Sequence, residues 1–164
     1  RIKLTFTNEL PTGKAALLLH FSGIINDQMS GFYRSKYKLS NGESDFIFTT
    51  QMEPTDARRV FPCWDEPALK ATFQISLIIP SHLTGLSNMP LLSAQMQNQK
   101  TKKLIFEETP RMSTYLVAFS IGEFDSLSDY KDGVVITVYT PPGKKEQGTF
   151  ALEIAMNSLH FYND

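Results

Sequence analysis

ATFQISLIIP, residues 71–80, decides the fold class: Ala71, Phe73, Ile75, Leu77 and Ile79 fall on one side of an extended chain, Thr72, Gln74 and Ser76 on the other. Apolar residues at every second position are what a strand with one buried face requires, because successive Cβ atoms point to opposite faces. The apolar run that closes this stretch, ending at Pro80, is a strand's length. It is far short of the ~18 apolar residues of a membrane span.

The same alternation recurs outward from this stretch. Tyr33, Tyr37 and Leu39 oppose Arg34, Lys36 and Lys38, and Tyr115, Val117, Phe119 and Ile121 repeat the pattern. Further strands are expected over 2–7, 15–21, 46–51, 103–107 and 134–139. Asn41-Gly42 and Asp132-Gly133 are hairpin signals, since a type I′ turn needs positive φ at both central residues. The polar run 95–102 is expected at an exposed hairpin tip. About eight short strands with regular turns predict an all-β protein, an antiparallel β-sandwich or a related antiparallel sheet.

One segment departs from period two. Phe150, Ile154, Ala155, Leu159 and Tyr162 recur at helical spacing, with Thr149 in place as the expected N-cap. Pro141-Pro142-Gly143 separates this helix from the last strand, so a boundary is expected between residues 1–143 and 144–164. Arg1 opens inside an expected strand and Asp164 closes inside an expected helix. Both ends are therefore expected to be cuts through a longer protein, with any targeting signal invisible.

The 164 residues carry a formal net charge of −1 and are 41% hydrophobic and 12% aromatic. That suits a globular domain and recommends neither nucleic acid nor an anionic membrane as partner. Cys63 stands alone and no Asn-x-Ser/Thr sequon occurs, which fits a reducing, cytoplasmic setting. His20, His82 and His160 are far apart in no metal-ligand spacing, so no zinc site is expected from local motifs. Without a local histidine, Cys63 is read as a structural thiol rather than a nucleophile.

Upstream of the deciding strand lies TTQMEPTDARRVFPCWDEPALKATF, residues 49–73. Pro54, Pro62 and Pro67 each fix φ and bias the preceding residue away from helix, which predicts a stiff, ordered loop. Val60, Phe61 and Trp64 are expected to pack it down. Glu53, Asp65 and Glu66 could form an acid/base pair, but structural pairing with Arg58, Arg59 and Lys70 is the plainer reading. Glu53 stands apart, just past a strand end and before a proline. A fixed carboxylate there is a good receptor for a cation such as a peptide's free amine.

This segment resembles a signature of the M1 family of zinc aminopeptidases through Gln51, Glu53, Ala57-Arg58, Phe61-Pro62 and Asp65-Glu66-Pro67. Gly31-Phe32-Tyr33-Arg34-Ser35, Leu86-Ser87-Asn88-Met89, Met112–Phe119 and Tyr139-Thr140-Pro141-Pro142-Gly143 are similar to family segments in the same order, nearest the cytosolic puromycin-sensitive branch. The resemblance implies a saddle-like N-terminal β-sandwich followed by the first helix of a catalytic domain. It also implies that Glu53 binds the substrate's α-amino group and that Gln51 lines the pocket for the first side chain. The family's H-E-x-x-H zinc site does not occur in this sequence. The implied zinc, the catalytic domain and the activity then belong to the full-length enzyme, with the peptide N-terminus as partner and no metal bound by this chain alone. A reading from a different class is a stand-alone β-sandwich interaction module from a truncated gene product. Continuation of the reading frame into an H-E-x-x-H would separate the two.

Overall fold

In the computed structural model, which describes residues 3–39 and 41–163, the alternation at 71–80 becomes a strand in an antiparallel sheet. In chain order the strands are β1 (Gly31–Lys38), β2 (Ser44–Gln51), β3 (Gln74–Pro80), β4 (Thr84–Ser87), β5 (Leu91–Met96), β6 (Thr101–Glu108), β7 (Phe119–Gly122), β8 (Asp125–Lys131) and β9 (Val134–Thr140). The helix α1 (Thr149–Asn163) follows. The sheets are ordered β1-β2-β7-β4, β3-β6-β5 and β8-β9.

The first two sheets face each other. Ile79, Leu104 and Phe106 are buried on the three-stranded sheet, and Ile121 of β7 packs on them from the four-stranded one. Gly85 of β4 permits the close approach: a Cβ there would lie 2.6 Å from Leu104 Cδ1 and 3.2 Å from Ile79 Cδ1. A second cluster, Met52, Ala57 and Val117, sits under the loop after β2 and meets the first through Ile75. The result is a β-sandwich followed by a helix, as expected.

Both expected hairpins form, but only Asp132-Gly133 makes the expected two-residue turn; Asn41-Gly42 does not, because that turn opens at Leu39 and Gly42 is its last residue. Asp132 and Gly133 both have positive φ, 48° and 82°, in a two-residue turn that pairs Lys131 with Val134. Gly42 has φ 87° and donates its N–H to the Leu39 carbonyl at 3.0 Å, and residues 97–100 form the tip between β5 and β6.

Four expectations are corrected. Residues 3–7 and 15–21 form no strand, Ile2 lying outside the described residues; their alternation finds no ladder partner. The strand expected over 115–121 begins only at Phe119, because Thr114–Leu116 is a 3₁₀ turn tied down by the Ser113 and Thr114 hydroxyls. Ala71 makes only an isolated bridge to Met112 before β3 begins. Thr149 is not an N-cap. A 3₁₀ turn, Lys145–Gly148, precedes it, so its backbone is already helical and its hydroxyl donates back to the Glu146 carbonyl at 3.0 Å.

The apolar face of α1 is also rotated from the expected one. Leu152 is buried and Ala155, Met156 and Leu159 half-buried, whereas Phe150, Ile154 and Tyr162 are exposed. The cause is where the helix lands. Gly148 presses on the β8–β9 hairpin so closely that a Cβ would lie 2.5 Å from Leu127 Cδ2. At the far end, His160 Nδ1 meets Asp132 Oδ2 at 3.0 Å.

Gly85→Ala would push a methyl into the space filled by Leu104. The expected loss is ~1–3 kcal/mol of stability, the usual cost of overpacking a core. Urea unfolding checks it, with a lower midpoint and an unchanged slope as the expected result.

Candidate functional site

The site begins where β2 runs out. Gln51, its last residue, pairs with Gly31 at the start of β1. Met52 follows with only 2% of its surface exposed, seated against Ala57 and Val117. Gln51 and Glu53, on either side of it, are both exposed. Burying a methionine side chain is worth ~1.5–3 kcal/mol, so Met52 anchors the point from which its two neighbours project. The Glu53–Pro54 peptide is cis.

The chain then turns tightly. The Asp56 N–H donates to the Met52 carbonyl at 2.8 Å, and Ala57–Arg59 forms a 3₁₀ turn around the fully buried Ala57. The Asp56 carboxylate accepts from Ser30 Oγ at 2.7 Å and forms an ion pair with Arg59, Nε lying 3.0 Å from Oδ1, while Arg59 Nη1 donates to Ser30 Oγ at 3.2 Å. This triangle ties the loop to the segment entering β1. Gly31 fits beneath it with φ 67°, where a Cβ would lie 3.4 Å from that of Arg59.

A second tie closes the loop on itself. Asp65 Oδ2 accepts from the Arg58 backbone N–H at 3.1 Å and from Arg58 Nε at 2.8 Å, and Arg58 Nη2 donates to the Asp65 carbonyl at 2.7 Å. The Asp65 side chain is only 4% exposed. Thr114 Oγ1 donates to the Trp64 carbonyl and Ser113 Oγ to that of Pro67, at 2.9 and 2.7 Å. Burial of Cys63, and then Asp65 beside it, push its thiol above the ordinary range, consistent with a structural role.

Against this paired background Glu53 differs. Among the described residues its carboxylate has no hydrogen bond or ion pair, and the Gln51 amide has none either. An unpaired carboxylate on an anchored strand end can accept hydrogen bonds from an incoming ammonium group. The structure thus brings Gln51 and Glu53 to one strand end, and assigns Asp56 and Asp65 to structural pairing with Arg59 and Arg58. Lys70 and Glu66, expected in that pairing, make no ion pair among the described residues. Trp64, expected to be packed down, is 73% exposed, while Val60, Phe61 and Cys63 do pack on the core. Sequence reading missed Arg111, which donates from Nε to the Lys70 carbonyl at 3.2 Å; 41 residues apart, the pair left no local signal. Among the described residues no three His, Cys, Asp or Glu side chains gather where they could hold a metal ion, and no helix is long and apolar enough to cross a membrane.

Residues 1–116 match the family model of the peptidase M1 N-terminal domain. Aminopeptidase M1-C of Oryza sativa subsp. japonica is 49% identical over 162 residues, covering 98% of this chain and 18% of the relative. Puromycin-sensitive aminopeptidase of Caenorhabditis elegans is 46% identical over 164 residues, covering 96% of this chain and 17% of the relative. Alanine/arginine aminopeptidase of Saccharomyces cerevisiae is 46% identical over 161 residues, with 98% and 18% covered. The chain thus spans less than a fifth of the length of these relatives.

Asp65→Ala removes the acceptor of two Arg58 donors beneath the loop. The expected cost is ~1–3 kcal/mol, the range for removing a hydrogen-bonded acceptor whose arginine partner keeps more than half of its side chain in water and can be rehydrated there. A chemical denaturation curve compared with wild type measures it.

Proposed function

The chain belongs to the M1 peptidase family, and on that premise we propose that it is the substrate-anchoring N-terminal domain of a zinc aminopeptidase. Residues 1–143 form that domain and 144–164 begin the catalytic domain against which it docks. The observation that carries the proposal is the carboxylate of Glu53, unpaired and exposed at the end of a strand whose next-door residue is buried. Every other acid of the loop that the fold needs, Asp56 and Asp65, already has its arginine.

In this reading Glu53 receives the α-ammonium group of a peptide. A negative site at a fixed place registers only chains with a free N-terminus, which is what distinguishes removal of terminal residues from internal cleavage. Gln51, on the same strand end, lies beside the first side chain of the bound peptide and limits its volume or offers it one hydrogen bond. Among the described residues no three His, Cys, Asp or Glu side chains gather to hold a zinc ion, and in this proposal the chain binds and orients the peptide and is inactive without the catalytic domain. Ligands for the metal belong to the catalytic domain in this proposal, and the enzyme works in the cytoplasm. Docking to a larger body is supported by surface area: the chain exposes 12,170 Å², where a compact monomer of this mass would expose about 8,200 Å².

Glu53→Ala in the full-length enzyme is expected to lower kcat/KM roughly tenfold to several thousandfold on free-amine peptides, the cost of removing one partner of a desolvated charge pair being ~2–5 kcal/mol. Metal content and melting temperature are expected to stay near wild type. Near-normal kcat/KM in a folded variant would remove Glu53 from the role.

Gln51→Ala is expected to reorder a panel of aminoacyl substrates, with discrimination shifting by ~1–3 kcal/mol. A uniform loss across the panel would show that Gln51 does not face the first side chain.

A further inference from the structure

The far side of the same loop encloses a groove of about 610 Å³ that neither Gln51 nor Glu53 lines. Its walls are apolar, from Phe61, Cys63, Leu69 and Phe73. Trp64 stands against them with most of its indole in water. A tryptophan held open beside an apolar wall exposes area that folding would ordinarily bury.

The charges on the groove have one sign. Lys70 and Arg111 line it and no carboxylate does. Asp65, next to Trp64, is taken up by Arg58 and nearly withdrawn from water. Arg111 uses Nε on the Lys70 carbonyl, a bond that places both cationic side chains on one rim. Its two terminal guanidinium nitrogens, and the Lys70 ammonium, have no partner among the described residues.

We propose that this groove binds a small carboxylic acid with an aromatic body. The ring lies against Trp64 and the phenylalanine wall, and the carboxylate meets Arg111 and Lys70. Offset stacking favours a flat body over a branched one, and the arginine fork matches the two oxygens of a carboxylate. The volume suits a ligand of this size. The site is independent of the amine anchor: it asks for the opposite charge and uses none of the same residues.

Trp64 and Cys63 both line the groove, so a change at either reports on its occupant. The experiment titrates the full-length enzyme with N-acetyl-L-phenylalanine, whose blocked amine gives Glu53 nothing to hold, and uses the Trp64→Phe and Cys63→Ser variants as blanks that isolate the two signals. Trp64 emission and the rate of Cys63 alkylation by iodoacetamide are followed at alkaline pH. A saturable change in emission and a slowing of alkylation are expected at the same midpoint concentration. N-acetyl-L-phenylalaninamide, equal in shape but uncharged, is expected to need at least about fivefold more. Lys70→Gln is expected to raise the midpoint for the acid about fivefold, and Arg111→Gln by at least as much, with little effect on the amide. Equal midpoints for acid and amide, an unchanged midpoint in Lys70→Gln, or no saturation would each overturn the proposal. Should Arg111→Gln fail to fold, Lys70→Gln decides alone, because its side chain makes no bond that the fold uses.

Discussion

A carboxylate that has left the water must be answered, and Asp65 is answered by the backbone and side chain of Arg58. Seven residues separate the pair, so it closes the loop locally and draws Val60, Phe61 and Cys63 over the Met52, Ala57 and Val117 cluster. From that closure follow the seat of Met52, the projection of Gln51 and Glu53, and the exit toward β3. Ser113 and Thr114 then reach back to the loop carbonyls, which is why their own segment turns as 3₁₀ instead of continuing as strand. One buried charge thus organises both the strand end that carries Glu53 and the groove on its other side.

The sandwich is well made at its centre and open around it. Gly85 lets one sheet settle onto Leu104 and Ile79 of the other. By contrast, residues 3–25 run without a ladder and expose Phe6, Leu18, Phe21 and Ile24. The helix presents Phe150 and Phe161 to solvent while its other side rests on β8 and β9. Apolar area of this extent is what a domain shows when its neighbours supply part of its surroundings. That agrees with a chain spanning under a fifth of its aminopeptidase relatives.

The two proposed binding sites share one loop and differ in sign. On the β2 side the surplus group is a carboxylate, because Asp56 and Asp65 have taken the two arginines of the turn and Glu53, like Glu66 further along the loop, has none among the described residues. Toward β3 the surplus is cationic, because Arg111 is held to the Lys70 backbone through a carbonyl rather than through an acid. The separation follows from local pairing: each arginine of the Ala57–Arg59 turn takes the acid within its own reach.

The amino-acid sequence by itself determined the strand faces, the Asp132-Gly133 hairpin, the family signature and the placing of Gln51 at a strand end with Glu53 just past it. All of these rest on local rules, the period of two, positive φ at glycine, and the order of residues in a motif. Tertiary structure alone decided the rest. Whether the alternation at 3–7 or 15–21 becomes a strand depends on a neighbouring edge, which no single segment contains. The face of α1 that is buried was settled by how closely Gly148 approaches Leu127, not by the spacing of Phe150 and Ile154. That Lys70 and Arg111 share a rim depends on a contact across 41 residues, and that Trp64 stays in water is likewise set by the fold and not by its neighbours in sequence. Period and motif are properties of neighbours in the chain, whereas pairing, burial and the sign of a groove belong to groups that only folding brings together.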